Sequence, residues 1–224
     1  MHDGVITAST LLKTLFTVPV VAFESRGIVS AEALLPEEAA YVTRAAPKRV
    51  REFAAGRACA RRALAELEIT DFPLRMGADR EPLWPPDVTG SITHTGDYCG
   101  VVVARTSLVA AIGVDAERRD AVNAELWRHI ATREERALLG SLADAHARER
   151  ASLLFSAKES FFKCQYYLTR QWLNFTDVSV SVDDGRFSIE PRVSIALEAL
   201  RSPPWQGRFV LEDALIVTGI SLDA

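Results

Sequence analysis

The chain has 224 residues, of which 48% are hydrophobic, and it carries a formal net charge of −4. This length allows one large core or two small cores that share an interface. The acidic balance excludes a generally basic surface of the kind that follows nucleic acid. The apolar stretches are too short to span a bilayer. We therefore expect a globular, cytoplasmic protein that binds neither nucleic acid nor membranes.

The three cysteines, Cys59, Cys99 and Cys164, are odd in number and widely spaced. Disulfide frameworks and zinc sites use paired or closely spaced cysteines, so neither is expected here. Small buried thiols are the better interpretation.

The first part of the chain predicts a strand, a helical region and further strands. Residues 18–30 have strand character, and Pro36 followed by two acidic residues is typical of a helix start. Helical periodicity continues to about Glu68, and a loop rich in proline and glycine follows. Two apolar strands are predicted at 98–104 and 109–114.

The second part predicts a helical region over about 124–167, followed by short strands. We expect these strands near 178–182, 187–189, 208–211 and 215–220.

The order of elements repeats along the chain. Glu38 precedes the sequence FAAGR at 53–57, and Glu135 precedes FSAKE at 155–159 at a similar but longer interval. We interpret the chain as an α+β protein with two pseudo-symmetric halves. Each half, 1–109 and 110–224, would hold a helix and a small antiparallel sheet, with a ligand cleft between them.

A carboxylate pair closes the apolar strand before it. Asp115 and Glu117 lie in the sequence GVDAE at 113–117. On an extended chain, residues two apart face the same side about 7 Å apart, so both can bind one cation. Oxygen ligands without nearby His or Cys favour Mg²⁺ over zinc. An acidic strand end that leads into a turn fits the same pattern.

The sequence FSAKESFFK at 155–163 combines charged and aromatic residues with helical character. Glu159 and Lys163 are four apart and therefore neighbours on a helix, and Lys158 lies beside them. A lysine fixed near a diphosphate can neutralise a leaving group, and a carboxylate can take a proton or complete a metal's ligands. An ordinary Glu–Lys helix pair is the alternative.

Two further segments suit an anionic ligand. Six cations lie between Lys48 and Arg62, and the sequence GSITHTG at 90–96 places hydroxyls and His94 in what we predict to be a turn. Before it, REPLWPP at 80–86 can form a rigid rim beside a flat ligand. A solvated helix face and a core tryptophan are the alternatives.

In this order, the motifs resemble the phosphopantetheinyl transferases of the two-half, Sfp-like type, especially the branch that includes enterobactin synthetase component D. The similar segments are R-x-F-x-x-G-R at 51–57, PLWP at 82–85, GSITH at 90–94, GVDAE at 113–117 and FSAKES with a following lysine at 155–163. Phe155 stands where the Sfp prototype has tryptophan, a change that concerns packing.

The resemblance implies Mg²⁺-dependent transfer of the 4′-phosphopantetheine arm of coenzyme A to a serine of an apo acyl or peptidyl carrier protein. It implies coenzyme A contacts from Arg51, Arg57, Arg80, Ser91, His94, Lys158 and Lys163. It implies Asp115, Glu117 and Glu159 as metal ligands, and Asp115, Lys158 and Glu159 as catalytic residues. The roles of Glu159 as base and as ligand stay open.

The resemblance also implies a monomer whose partners are carrier domains of polyketide, nonribosomal peptide or siderophore synthases. Leu126, Trp127 and Ile130 are the candidates for carrier docking. The alternative function is a catalytically decayed module that binds coenzyme A or a nucleotide, which the intact acidic and basic motif residues argue against.

Overall fold

Two antiparallel sheets form the framework of this computed structural model, which describes residues 4–196 and 204–223. The first sheet has the order β1 (Val5–Ala8), β2 (Val21–Arg26), β4 (Tyr98–Arg105), β3 (Val88–Thr95). The second has the order β5 (Ala111–Arg118), β9 (Leu215–Leu222), β8 (Trp205–Glu212), β7 (Arg186–Pro191), β6 (Val178–Asp183). The first sheet therefore ends along the chain before the second begins.

The α-helices of the described residues are α1 (Thr10–Thr14), α2 (Pro36–Ala39), α3 (Pro47–Ala65), α4 (Trp127–Ile130), α5 (Arg133–Gly140) and α6 (Asp144–Thr169). Short 3₁₀ turns lie at Ala31–Ala33, Ala40–Val42, Ala124–Leu126 and Phe175–Asp177. Across 4–196 and 204–223, none of the helices has the length and apolar content needed to cross a membrane.

Local sequence explains where the main helices begin and end. Pro47 occupies the first turn of α3, where its missing N–H costs no intrahelical hydrogen bond. At the start of α5, Thr132 and Glu135 form a reciprocal capping box. Helix α6 ends at Arg170, which adopts the left-handed conformation that closes many helices.

One long helix packs on each sheet, which confirms the α+β prediction of two halves. The face of α3 toward the first sheet is made of small side chains, including Ala54, Cys59 and Ala63, so the helix lies close to the strands. On the second sheet, the ring of Phe161 in α6 stacks on Trp205, with centroids 5.1 Å apart. Burial of these apolar faces stabilises each half.

A third apolar cluster joins the halves. Leu12 and the two residues after α1, Leu15 and Phe16, pack against strands of both sheets, including Val102 and Val217. The two halves are therefore one continuous body with a shared core.

The edge strands β3 and β5 meet through side chains. Oγ of Ser91 accepts a hydrogen bond from the N–H of Val114 at 3.1 Å, and Oγ1 of Thr93 accepts one from Ala116 at 2.8 Å. Both strands run in the same direction along this seam, which we call the hydroxyl seam. The sequence-based prediction of a turn at 90–96 was wrong, because residues 88–95 form a strand whose alternate hydroxyls bond β5.

Candidate active site

A cavity of about 280 Å³ lies between the two halves. The first half contributes α3, the segment 76–84 and β3, and the second half contributes α6 and the residues after it. The cationic side chains that line this cleft are Arg49, Arg57, Arg80, Lys163 and Arg170. The same lining contains the carboxylates of Glu52, Asp79, Glu81 and Glu159. The cleft therefore offers cations for a polyanionic ligand beside carboxylates that can take a proton or bind a metal.

Arg57 is fixed in the wall of the cleft. Its Nε donates to the carbonyl oxygen of Leu74 at 2.8 Å, and its guanidinium lies 4.0 Å from the ring centroid of Phe53. Burial lowers the pKa of Arg57 to about 10. The group is therefore still a cation at neutral pH, as its predicted role requires.

Arg49 reaches the cleft, whereas Arg51 does not. Nη1 of Arg49 lies 3.0 Å from Nε2 of His94, which also lines the cleft. Burial lowers the pKa of His94, so a neutral ring can accept this hydrogen bond. Arg51 is exposed and lines a separate, smaller cavity beside Lys48.

The phase of α3 explains this difference. Arg49, Phe53 and Arg57 follow one another at steps of four and share one helix face, while Arg51 lies on another. Helical spacing counted from Arg57 was therefore the signal that could have found Arg49.

The remaining residues expected from the first half also line the cleft. Arg80 lines the cleft from a short segment whose ends, Met76 and Pro82, form a β-bridge. The backbone of Arg80 is left-handed, with a φ of 68°. Ser91 lines the cleft too, but its hydroxyl is engaged in the hydroxyl seam.

Asp115 lies behind the cleft and is almost completely buried. Its Oδ1 accepts hydrogen bonds from Nζ of Lys163 at 2.7 Å and from Oγ1 of Thr93 at 3.3 Å. Its Oδ2 is buried without a hydrogen-bond partner among the described residues. A buried carboxylate oxygen without a donor is costly, so this atom is suited to a cation.

Glu117 and Glu159 share an acidic environment with Asp115. Burial and, to a smaller extent, the charge of Asp115 raise the pKa of Glu117 to about 7. Burial also raises the pKa of Glu159, with Lys163 opposing and Asp115 reinforcing the shift. Three carboxylates near one ammonium leave excess negative charge that a divalent cation would neutralise.

These carboxylates do not form a closed cage. Within residues 4–196 and 204–223, no group of three or more His, Cys, Asp or Glu side chains is arranged to hold a metal by itself. An incomplete set fits a hard cation such as Mg²⁺, which usually keeps water and binds substrate phosphates.

Lys158 is placed differently from the sequence-based expectation. Only 1% of its side chain is exposed, and its Nζ donates to Oε2 of Glu135 at 2.7 Å and to the carbonyl oxygens of Ile130 and Phe175, each at 2.9 Å. An ammonium has three protons, and these three acceptors use all of them. Of the two motif lysines, Lys163 is the one that lines the cleft.

Two polar contacts close the far wall of the cleft, and sequence reasoning missed both. The hydroxyl of Tyr166 donates to Oδ2 of Asp79 at 2.6 Å, and Nη1 of Arg170 donates to Oε1 of Glu81 at 2.6 Å. They join the end of α6 to the segment 76–82 of the first half. We call these two contacts the clasp.

A second cavity of about 210 Å³ lies on the other side of Glu159. Glu159, Phe162 and Trp172 line both this cavity and the cleft. Trp172 is 68% exposed although it is a large aromatic side chain. Glu159 is therefore reachable from two directions.

The residues expected to dock a carrier protein differ in exposure. Leu126 is 43% exposed, Trp127 packs partly buried against the core of the second half, and Ile130 is 5% exposed. Ile130 is a core residue, so its expected part in docking was wrong.

The chain is similar to known proteins over most of its length. The model of the 4′-phosphopantetheinyl transferase N-terminal domain matches residues 37–104, and that of the 4′-phosphopantetheinyl transferase superfamily matches residues 111–211. The 4′-phosphopantetheinyl transferase Svp of Streptomyces mobaraensis is 38% identical over 85% of this chain and 79% of its own length.

Two further relatives carry related names. The 4′-phosphopantetheinyl transferase PptT of Mycobacterium tuberculosis is 36% identical over 84% of this chain and 86% of its own length. Enterobactin synthase component D of Escherichia coli K12 is 35% identical over 66% of this chain and 69% of its own length. The chain belongs to the 4′-phosphopantetheinyl transferase superfamily, whose members transfer the phosphopantetheine arm of coenzyme A to carrier proteins.

Proposed function

We propose that the cleft binds coenzyme A with its phosphates on the cationic wall and performs a Mg²⁺-dependent transfer to the carrier serine. From the first half of the protein, Arg49, Arg57 and His94 would hold the 3′-phosphate of coenzyme A. Lys163 would bind the diphosphate from α6. The segment around Arg80 would border the adenine.

The buried Oδ2 of Asp115, which has no hydrogen-bond partner among the described residues, carries the metal assignment. Asp115 and Glu117 would hold Mg²⁺ with Glu159 nearby, and the ion would neutralise charge on the diphosphate oxygens. A cation bound here would explain why these three carboxylates lie close to one ammonium group, that of Lys163.

Glu159 is suited to act as the base because it lines both cavities and burial raises its pKa. It would take the proton of the carrier serine hydroxyl as the serine oxygen bonds to the phosphorus that bears the pantetheine arm. The phosphoanhydride bond to the other phosphate then breaks, and adenosine 3′,5′-bisphosphate leaves. Lys163 would balance the charge of that leaving group.

We further propose that the enzyme acts in the cytoplasm as a monomer, because its cleft is built from two halves of one chain. The acceptors would be carrier domains of biosynthetic megasynthases, including those for siderophores. Light scattering after size-exclusion chromatography tests the first point, since a stable dimer would contradict it.

Intact-protein mass spectrometry tests the reaction. An apo carrier domain incubated with this protein, coenzyme A and Mg²⁺ should gain the mass of one phosphopantetheine, and EDTA should prevent the gain. Absence of the gain with several unrelated carriers, despite measurable coenzyme A binding, would favour a binding module. Glu159→Gln should lower kcat strongly while coenzyme A affinity is preserved. An unchanged rate would exclude Glu159 as the base.

A further inference from the structure

Two buried ion pairs, one in each half, have the same design. In the first half, Glu38 is completely buried, and its Oε2 accepts from Nη1 of Arg61 and from the N–H of Leu35. Its Oε1 accepts from the N–H of Leu74 at 3.1 Å. Arg61 also donates to the carbonyl oxygen of Ala33, five residues before the glutamate.

The second half repeats each of these contacts. Oε2 of Glu135 accepts from Nζ of Lys158 and from the N–H of Thr132, and Oε1 accepts from the N–H of Val180 at 2.7 Å. Lys158 donates to the carbonyl oxygen of Ile130, again five residues before the glutamate. The separation between glutamate and cation is 23 residues in both halves.

Lys158 is therefore the counterpart of Arg61. This equivalence was not visible in the sequence comparison, which set FAAGR at 53–57 beside FSAKE at 155–159 although the two segments lie at different intervals from the preceding glutamate. Arg61 does not line the cleft in the described structure, and its contacts hold α3 to the turn before α2. The pair of Glu135 and Lys158 makes the same contacts in the second half and therefore has the same structural role.

In the second half, this structural role also affects the proposed base, because Glu159 follows Lys158 directly in the chain. Successive residues of an α-helix point about 100° apart, so fixing one side chain sets the direction of the next. Lys158 has one acceptor that Arg61 lacks among the described residues of the first half, the carbonyl oxygen of Phe175 ahead of β6. It thus ties α6 to three separate segments at the turn that presents Glu159.

We infer that Lys158 is a positioning residue, which orients Glu159 through its buried pair with Glu135 and does not contact the transferred phosphate. This inference rests on the proposed role of Glu159. It accounts for a lysine in the catalytic motif whose three protons are all used inside the protein.

Lys158→Met and Arg61→Met form a matched pair of variants, since each removes the cation of an equivalent buried pair. Both should lower the melting temperature. At assay temperatures below the melting range, only Lys158→Met should lower kcat, by about tenfold or more, because misplacing a catalytic group is costly. Coenzyme A affinity, measured by calorimetry, should change less than about twofold in either variant. Loss of coenzyme A affinity in Lys158→Met, or equal loss of kcat in Arg61→Met, would overturn the inference.

Glu135→Gln provides a second test that does not require Lys158→Met to fold. It keeps the lysine and leaves an amide that can still accept from Val180. A positioning role predicts a fall in kcat at unchanged coenzyme A affinity, whereas direct phosphate contact by Lys158 predicts an unchanged or higher kcat. Inactive wild-type protein would refute the proposed function itself, while active wild type with unaffected Glu135→Gln and Lys158→Met would refute only the positioning role.

Discussion

Gly113 lies directly against the carbonyl oxygen of Ser160. A Cβ at position 113 would lie 1.8 Å from this oxygen, so only glycine allows β5 to approach α6 this closely. Two residues further along β5 is Asp115, and one residue before Ser160 is Glu159. The contact therefore sets the distance between the strand and the helix that carry the acidic cluster.

Gly113→Ala should reduce stability and activity together. The added methyl group collides with backbone. The loss in free energy of unfolding should therefore be at or above the upper end of the roughly 1–3 kcal/mol that is typical of overpacking. Urea titration and the transfer assay measure the two effects. Gly140→Ala is the control, since its Cβ would meet no atom of the described residues within 4 Å. Wild-type stability in Gly113→Ala would contradict the packing shown here.

The hydroxyl seam predicts a contrast between two threonines of the same strand. Thr93→Val removes the acceptor of the buried N–H of Ala116, which should cost about 1–3 kcal/mol. Thr89→Val should be neutral or stabilising, because Oγ1 of Thr89 is buried without a hydrogen-bond partner among the described residues. Denaturant titration of both variants tests this contrast, and equal losses would mean that the hydrogen bond from Ala116 to Thr93 adds no stability.

The phase of α3 predicts different effects for two neighbouring arginines. Arg49→Ala should weaken coenzyme A binding by about tenfold or more, since charge-assisted hydrogen bonds to phosphate are strong. Arg51→Ala should leave the affinity within about twofold, because Arg51 lies outside the cleft. Isothermal titration with coenzyme A decides between them, and the reverse order of effects would require another position for the phosphates.

The clasp predicts an effect on substrate binding that charge reversal can rescue. Arg170→Glu should raise KM for coenzyme A about threefold to tenfold with little change in kcat, because it opens the far wall without touching Glu159. The double variant Arg170→Glu/Glu81→Arg should recover much of this loss. Steady-state kinetics at varied coenzyme A provide the measurement. Equal KM values in the single and double variants would mean that Arg170 contacts the ligand and not only Glu81.

Local patterns were sufficient to predict the two halves and the carboxylate pair. Helical and strand periodicity, and the spacing of Asp115 and Glu117 along a strand, depend only on neighbours in the chain. Strand β3 was missed because glycine and hydroxyl residues are typical of turns. Its hydroxyls are explained by β5, which follows more than fifteen residues later.

The role of Lys158 could not be predicted locally. In sequence it differs from Lys163 only by its place on the helix, and four residues separate the two. Burial of Lys158 depends on Glu135, 23 residues away, and on Phe175, 17 residues away. Contacts of this kind become visible only when the helices are packed against their sheet.

Along the hydroxyl seam, the backbone ladders of the two sheets stay separate, and the side chains of Ser91 and Thr93 form hydrogen bonds between β3 and β5. Either sheet keeps its own ladder whichever residues occupy these positions. Single substitutions at these positions can thus weaken this part of the join between the halves while both sheets and the shared apolar cluster are kept.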